Sequence, residues 1–318
     1  MPDRPRDLWF PATRETVCSA ADAEITFSRC GLEHTDGNRS HTARGIRGWR
    51  GIRIGYERGT NMLTLSFPEG AALVFGGSGG IGRGVAREFA RAGSAVAVCY
   101  NSKREVAEDT VTELRALGVK ASAHQVDVRA DEDVSRVLGE VVGEHSRIHT
   151  VVWGAGPVVD QITVAETTPA QYRRSIEIET LGLFTAAHAV LPHFREHGGG
   201  SFVHLGSAGD HWFPALDGLS VIPKAANESL IRGIAKEEGA HNIRANSVLV
   251  GVIEAGMFLE LKAQGVFDEE WEREVHKLVP LKRWGKPADI GAACVFLASN
   301  EANYITGQQI SVSGGFGV

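Results

Sequence analysis

Residues 72–84 read Ala-Leu-Val-Phe-Gly-Gly-Ser-Gly-Gly-Ile-Gly-Arg-Gly, and no other stretch restricts the fold of this chain so strongly. An apolar run breaks into Gly76, Gly77, Gly79, Gly80 and Gly82, then resumes with helical spacing at Val85, Ala86, Phe89 and Ala90. That pattern is a strand, a tight turn and a helix. Glycines let the backbone take positive φ and come close to a ligand, and the following helix start offers unpaired N–H groups and the positive end of a dipole. Such a turn binds phosphate; a glycine-rich surface loop is the plainer alternative, and the flanking sequence decides between them.

Strands and helices alternate from there on. The sequence predicts strands over 72–75, 95–100, 121–126 and 150–153, separated by helices over 82–92, over 103–117 and around Val134, Val137, Leu138 and Val141. Gly93 and Gly118 stand where glycines close helices. A long helix over 169–197, a strand over 201–205, a helix over 219–238 and a strand over 244–250 follow. The chain ends with a polar helical excursion over 257–278, a helix over 287–298 and a strand over 309–312. Right-handed crossovers force this order into a doubly wound parallel α/β sheet covered by helices on both faces, with ligands at the carboxyl ends of the strands. The excursion, carrying Glu260, Asp268, Glu269, Glu270 and Glu272, is expected to be a mobile lid over those ends.

At 318 residues and 43% hydrophobic content the chain can bury one large core or two small ones. A net charge of −6 argues against a general nucleic-acid binder, and no apolar run reaches the ~18 residues of a membrane span. Cys18, Cys30, Cys99 and Cys294 lack framework spacing, as expected of a protein in the reducing cytoplasm. Residues 1–61 hold ten arginines and no lysine, show little periodicity, and interrupt Leu8-Trp9-Phe10 with Pro11, unlike a secretory signal. They read as a disordered basic arm, a transit peptide, or an extension outside the working protein, the first and last being preferred. Residues 62–318, opening at Met62, are expected to be the single working domain. Cys18, Cys30, His34 and His41 match no ordinary zinc spacing, and no metal is expected.

Each strand end offers something to a dinucleotide. After the second strand, where an NAD site would place an acid on the ribose hydroxyls, the chain has Asn101-Ser102-Lys103-Arg104. An acid there would repel a 2′-phosphate, whereas Asn101, Ser102 and Lys103 could hold one, which favours NADP(H) over NAD(H). The alternative is an ordinary helix start with Ser102 as its cap. Asp127 and Val128 suit an adenine edge, or Asp127 merely caps the next helix. Gly154-Ala155-Gly156 permits close approach of a cofactor sugar, or only eases packing.

On Gly76-x-x-x-Gly80-x-Gly82, Asp127, Gly154-Ala155-Gly156, Ser207, Lys224, Asn246-Ser247-Val248, Gly251-Val252-Ile253 and Arg283-Trp284-Gly285-Lys286-Pro287, residues from about 68 to 318 resemble the short-chain dehydrogenase/reductase family. The resemblance implies a Rossmann-type sheet of about seven strands, nicotinamide-dependent redox chemistry on a small-molecule substrate, and homotetramers or homodimers built on two long helices. It assigns Gly76, Ser78, Gly80, Ile81, Gly82 and Ile253 to the cofactor as well. Phe75 stands where the family usually has Thr, which affects the anchoring of the turn.

The family's usual catalytic set is a Ser, a Tyr, a Lys four residues later, and an Asn on the preceding long helix. Here those positions hold Ser207, Ser220, Lys224 and Glu179. Ala255 replaces the threonine that commonly holds the nicotinamide amide, and Trp153-Gly154 replaces Asn-Asn. Carbonyl reduction needs a proton delivered to oxygen, which a phenol of pKa about 10 beside an ammonium can supply near neutrality and an aliphatic hydroxyl cannot. The proton must then come from Asp210, His211, Glu179 or water, with Asp217 a further acid in the same loop. Lys224 is expected to hold the nicotinamide ribose, with Glu179 beside it as an ion-pair partner or a proton relay. Trp153, Trp212 and Phe213 shape an apolar substrate pocket or only pack. The expected activity is NADP(H)-dependent oxidoreduction of a small carbonyl, enone or imine-type substrate; an inactive dinucleotide-binding subunit or sensor is the alternative.

Overall fold

The computed structural model describes residues 64–317. The readings for residues 1–61, for Met62 and for Cys18, Cys30, His34 and His41 lie outside the described residues. Strands β1 (Ala71–Phe75), β2 (Ala95–Tyr100), β3 (Ala121–Gln125), β4 (Ile148–Trp153), β5 (Gly200–Ser207), β6 (Ile243–Val250) and β7 (Gln309–Val312) form one parallel sheet. Their order is β3-β2-β1-β4-β5-β6-β7, so the direction of winding reverses between β1 and β4 and opens a crevice at their carboxyl ends. The doubly wound α/β class expected from the sequence is the one found.

Alternation along each strand divides the core into two layers. Ala72, Val74, Val96, Val98 and Val248 face α1 (Gly80–Arg91), α2 (Arg104–Ala116) and α9 (Pro287–Ala298). Leu73, Phe75, Ala97, Val151 and Trp153 face α3 (Asp131–His145), α5 (Gly182–Glu196) and α6 (Gly218–Glu238). β1 and β2 are apolar on both faces, which is why they read as continuous hydrophobic runs, whereas β4, β5 and β6 also bury His149, Thr150, His204, Asn246 and Ser247.

The helix predicted over 169–197 is three pieces: α4 (Pro169–Ile176), a π-helical turn at Glu177–Leu181, and α5. Such turns displace backbone hydrogen bonds and re-aim side chains, often at functional sites. Here the turn carries Glu179 and is stitched to α6, where Asn227 Nδ2 donates to the Glu179 carbonyl at 3.2 Å and Thr180 Oγ1 donates to the Pro223 carbonyl at 3.1 Å. Pro223 lies inside α6 and has no N–H for the carbonyl of Leu219 four residues back. Ser175 Oγ, buried on α4, donates to that carbonyl at 2.6 Å. Ser175→Ala is expected to leave it unsatisfied and cost about 1–3 kcal/mol, measured as a lower urea midpoint at unchanged slope.

The excursion is two short helices, α7 (Met257–Ala263) and α8 (Glu269–Lys277), and it is amphipathic rather than polar. Glu260, Glu269 and Glu270 face solvent, while Phe258, Leu261 and Phe267 form a buried cluster with Trp271 and Trp284 packed on it. Phe267 and Trp271 stack with ring centroids 3.8 Å apart.

Candidate active site

A cavity of about 370 Å³ lies at the carboxyl ends of β1, β4, β5 and β6. The glycine turn forms one wall with Gly76, Gly79, Gly80, Ile81 and Gly82. Gly76 has φ +75°, a conformation that favours glycine. Gly79 is the N-cap of α1, no side chain bonds the first turn, and no acid stands there, so its N–H groups and dipole are available to an anion. A Cβ on Gly80 would strike the backbone nitrogen of Gly256, which begins α7. The segment after β6 thus closes over the turn, and only glycine leaves room for it. The donors, the missing acid and the close backbone together fit a diphosphate.

The opposite wall carries hydroxyl and ionisable side chains. Glu179, on the π-helical turn, accepts from Lys224 Nζ at 2.5 Å, and the two side chains are 4% and 18% exposed. Ser220, one turn before Lys224 on α6, is buried and lines the cavity. Ser207, ending β5, also lines it, and its Oγ accepts from the Gly209 N–H at 3.1 Å. Asp217, the N-cap residue of α6, reaches the same space and accepts from Gln161 Nε2 at 3.1 Å. Burial pushes its carboxyl up to about 6; the Gln161 hydrogen bond and the Lys224 charge oppose the rise, and the Glu179 charge adds to it.

Apart from these groups and the exposed Lys103 and Glu260, the lining is largely apolar, with Trp212 and Phe316 crossed edge to face at 5.0 Å and Phe258, Phe267 and Trp271 contributed by the segment after β6. Two sequence motifs meet here: Ile253 bridges to Gly285, and the Glu254 N–H donates to the Gly285 carbonyl at 2.8 Å.

Of the residues singled out in the sequence, Gly76, Gly80, Ile81, Gly82, Lys103, Gly154, Ala155, Gly156, Glu179, Ser207, Ser220, Lys224 and Ile253 line this one cavity. Ser78, Asn101, Ser102, Asp127, Val128 and Asp210 stand outside its walls. Asp127 is taken by Arg129, whose Nε donates to it at 2.9 Å and holds its carboxyl below the usual range. Val128 is buried in the core. Asp210, expected to face substrate, instead accepts from Gln309 Nε2 at 3.1 Å, because the 3-10 turn after β5 aims it toward β7. Exposed His211 also stands against Gln309, at 3.4 Å. Trp153 is 1% exposed and packs on Phe75 inside the sheet, while Phe213 is half exposed and off the cavity; neither shapes the pocket, but Trp212 does. Gln161 and Phe316 escaped sequence reasoning, since each lies in a loop without periodicity. The lid aromatics had a signal in their helical spacing, but the surrounding acids masked it.

The chain matches the family model described as Enoyl-(Acyl carrier protein) reductase over residues 76–317. It is 31% identical over 245 residues to a 3-oxoacyl-[acyl-carrier-protein] reductase of Staphylococcus epidermidis, covering 77% of this chain and 98% of that protein. The chain belongs to the short-chain dehydrogenase/reductase family. The sorbose reductase of Candida albicans is 32% identical over 267 residues, covering 81% of this chain and 90% of the relative. Among solved structures, this short-chain dehydrogenase/reductase resembles a 7α-hydroxysteroid dehydrogenase complexed with NADH and 7-oxo glycochenodeoxycholic acid, with a TM-score of 0.73, 28% identity, and 80% and 96% coverage of the two chains. A short-chain type dehydrogenase/reductase from Mycobacterium ulcerans matches with a TM-score of 0.73, 29% identity, and coverage of 79% and 90%.

Proposed function

We propose that this chain is an NADP(H)-dependent oxidoreductase that moves hydride to or from a small carbonyl, enone or imine-type substrate, with a proton donor other than tyrosine. The observation that carries this reading is one cavity holding both an uncapped glycine-turn helix and the Lys224–Glu179 pair. A bound nicotinamide dinucleotide supplies the hydride chemistry. The first turn of α1 holds its diphosphate, Gly154, Ala155 and Gly156 let its sugar approach, and Lys224 and Ile253 hold the nicotinamide end. Ser207 orients the substrate oxygen. Ser220, a short hydroxyl at the family's tyrosine position, leaves room for substrate rather than protonating it. The apolar, aromatic remainder of the cavity suits a hydrophobic substrate.

Preference for NADP(H) rests on Lys103, the cavity-lining cation after β2, in a segment with no acid before Glu105. Asn101 and Ser102 are exposed beside it in the same loop. Fluorescence titration is expected to give tighter binding of NADPH than NADH, and Lys103→Ala to weaken NADPH by about tenfold, one charge-assisted contact, while leaving NADH unchanged. Tight binding with no turnover of ketone, enone or imine would favour the inactive-subunit alternative, which the loss of the tyrosine supports.

Residues 62–318 make up the working domain in this reading. Leu181 and Phe184, each more than half exposed on the π-helical turn and α5, support assembly as a homodimer or homotetramer through these helices.

A further inference from the structure

We propose that Asp217 is the acid–base group of this site, giving a proton to the substrate oxygen in reduction and taking it back in oxidation. The inference rests on the oxidoreductase reading above and names the proton source that reading leaves open.

Among the described residues five ionisable side chains line the cavity: Lys103, Glu179, Asp217, Lys224 and Glu260. Glu179 is engaged by Lys224 at 2.5 Å. Glu260 is exposed on α7, and Lys103 stands beyond the glycine turn after β2. Asp217 alone combines partial burial, a place in the wall and no ion-pair partner among the described residues. It sits three residues before Ser220, whose N–H donates to the Asp217 main-chain carbonyl at 3.1 Å, and both residues line the same cavity.

The backbone is set to present it. Leu216, not a glycine, has φ +69°, a left-handed conformation that costs about 1–2 kcal/mol in L-residues. The Ile162 N–H donates to the Leu216 carbonyl at 3.0 Å and Ile162 bridges to Asp217, pinning the turn. Although Asp217 is the N-cap residue of α6, its side chain makes no capping hydrogen bond. An Asp at that position ordinarily caps the helix. Here it accepts from Gln161 instead, which orients it toward the cavity. The groups that face it are Gln161 from the loop after β4, Glu179 from the π-helical turn, and Ser220 and Lys224 from α6.

The step balances. As the carbonyl carbon accepts hydride from the reduced nicotinamide, the C=O electron pair passes to oxygen, and the Asp217 O–H bond breaks to give its proton to that oxygen. The products are an alcohol, the oxidised nicotinamide and the Asp217 carboxylate, which water reprotonates. Because burial raises its carboxyl to about 6, Asp217 still carries protons near neutrality and can regain one.

The test compares wild type with Asp217→Asn, using α-tetralone, cyclohexenone and pyrroline with NADPH, and tetralol with NADP+. Wild-type kcat/KM for tetralone should fall as pH rises through about 6, and oxidation of tetralol should rise over the same range. Asp217→Asn should bind NADPH as wild type does, lose at least ~10²-fold in both directions and lose both pH dependences. A second readout needs no substrate. The folded Asp217 holds its proton more tightly than an unfolded one, so its stabilising contribution is present in acid and disappears as pH rises through about 6. Asp217→Asn should therefore gain in Tm relative to wild type on going from acid to neutral pH. Unchanged turnover and pH profiles in Asp217→Asn, or a pH-independent Tm difference, would overturn the proposal. A wild type that binds NADPH but turns over none of the probes would overturn the oxidoreductase reading itself.

Discussion

Lys224→Met is expected to lower kcat/KM by about 10² to 10³-fold and to weaken NADPH binding. Two effects add. The ammonium that would hydrogen-bond the nicotinamide ribose is gone, and Glu179, whose side chain is 4% exposed, becomes a buried carboxylate without its partner. Breaking a buried pair from one side costs about 3–5 kcal/mol, because the remaining charge was desolvated on the assumption of a counter-ion. A double variant, Lys224→Met with Glu179→Gln, separates them: stability should return with the neutral amide, while activity should not. Wild-type NADPH affinity and turnover in Lys224→Met would refute the role given to the lysine.

Arg244→Met is expected to be the most destabilising substitution in the sheet, by about 3–5 kcal/mol, or a fall in Tm of roughly 10 °C for a domain of this size. Arg244, the second residue of β6, spreads its guanidinium under the end of α9. Nη1 donates to the Leu297 carbonyl at 2.5 Å and to that of Ile305 at 3.4 Å; Nη2 donates to those of Ala298 at 3.1 Å and Ser299 at 3.0 Å. The Leu297 and Ala298 carbonyls are the last two of the helix and that of Ser299, its C-cap residue, also accepts from the Ala302 N–H at 3.2 Å; together they carry the negative end of the helix dipole. One cation satisfies them all and ties α9 to the strand. Differential scanning calorimetry at fixed pH measures the loss, and a Tm within about 2 °C of wild type would contradict it.

Much of the fold was legible because its signals are local. Gly93 and Gly118 stop their helices as read, with φ of +83° and +90°. The apolar runs of β1 and β2 are strands because both sheet faces are covered. The glycine turn was legible for the same reason, since strand, turn and helix lie within one short segment. Asn246, noticed only as part of a motif, proved to stitch β6 to the loop before β7: its Nδ2 donates to the Ile305 carbonyl at 2.9 Å and its Oδ1 accepts from the Gln308 N–H at 3.0 Å.

The catalytic side was less legible. Asp210 and Asp217 lie in one loop, seven positions apart, and nothing in their sequence neighbourhood says which of them faces the cavity. A 3-10 turn sends Asp210 to Gln309, and a left-handed Leu216 sends Asp217 inward. The break in the helix over 169–197 was equally hidden, because the π-helical turn answers to Pro223 and Asn227, some 45 residues downstream. By itself, the sequence determined the sheet and the glycine turn, which follow from periodicity and glycine placement; Glu179 was set beside Lys224 only by the family resemblance, as an ion-pair partner or a proton relay, and the structure shows the ion pair. Only the tertiary structure decided which acid enters the site, which aromatics wall it and which cation closes α9. Those outcomes depend on backbone turns and distant partners that no local pattern encodes.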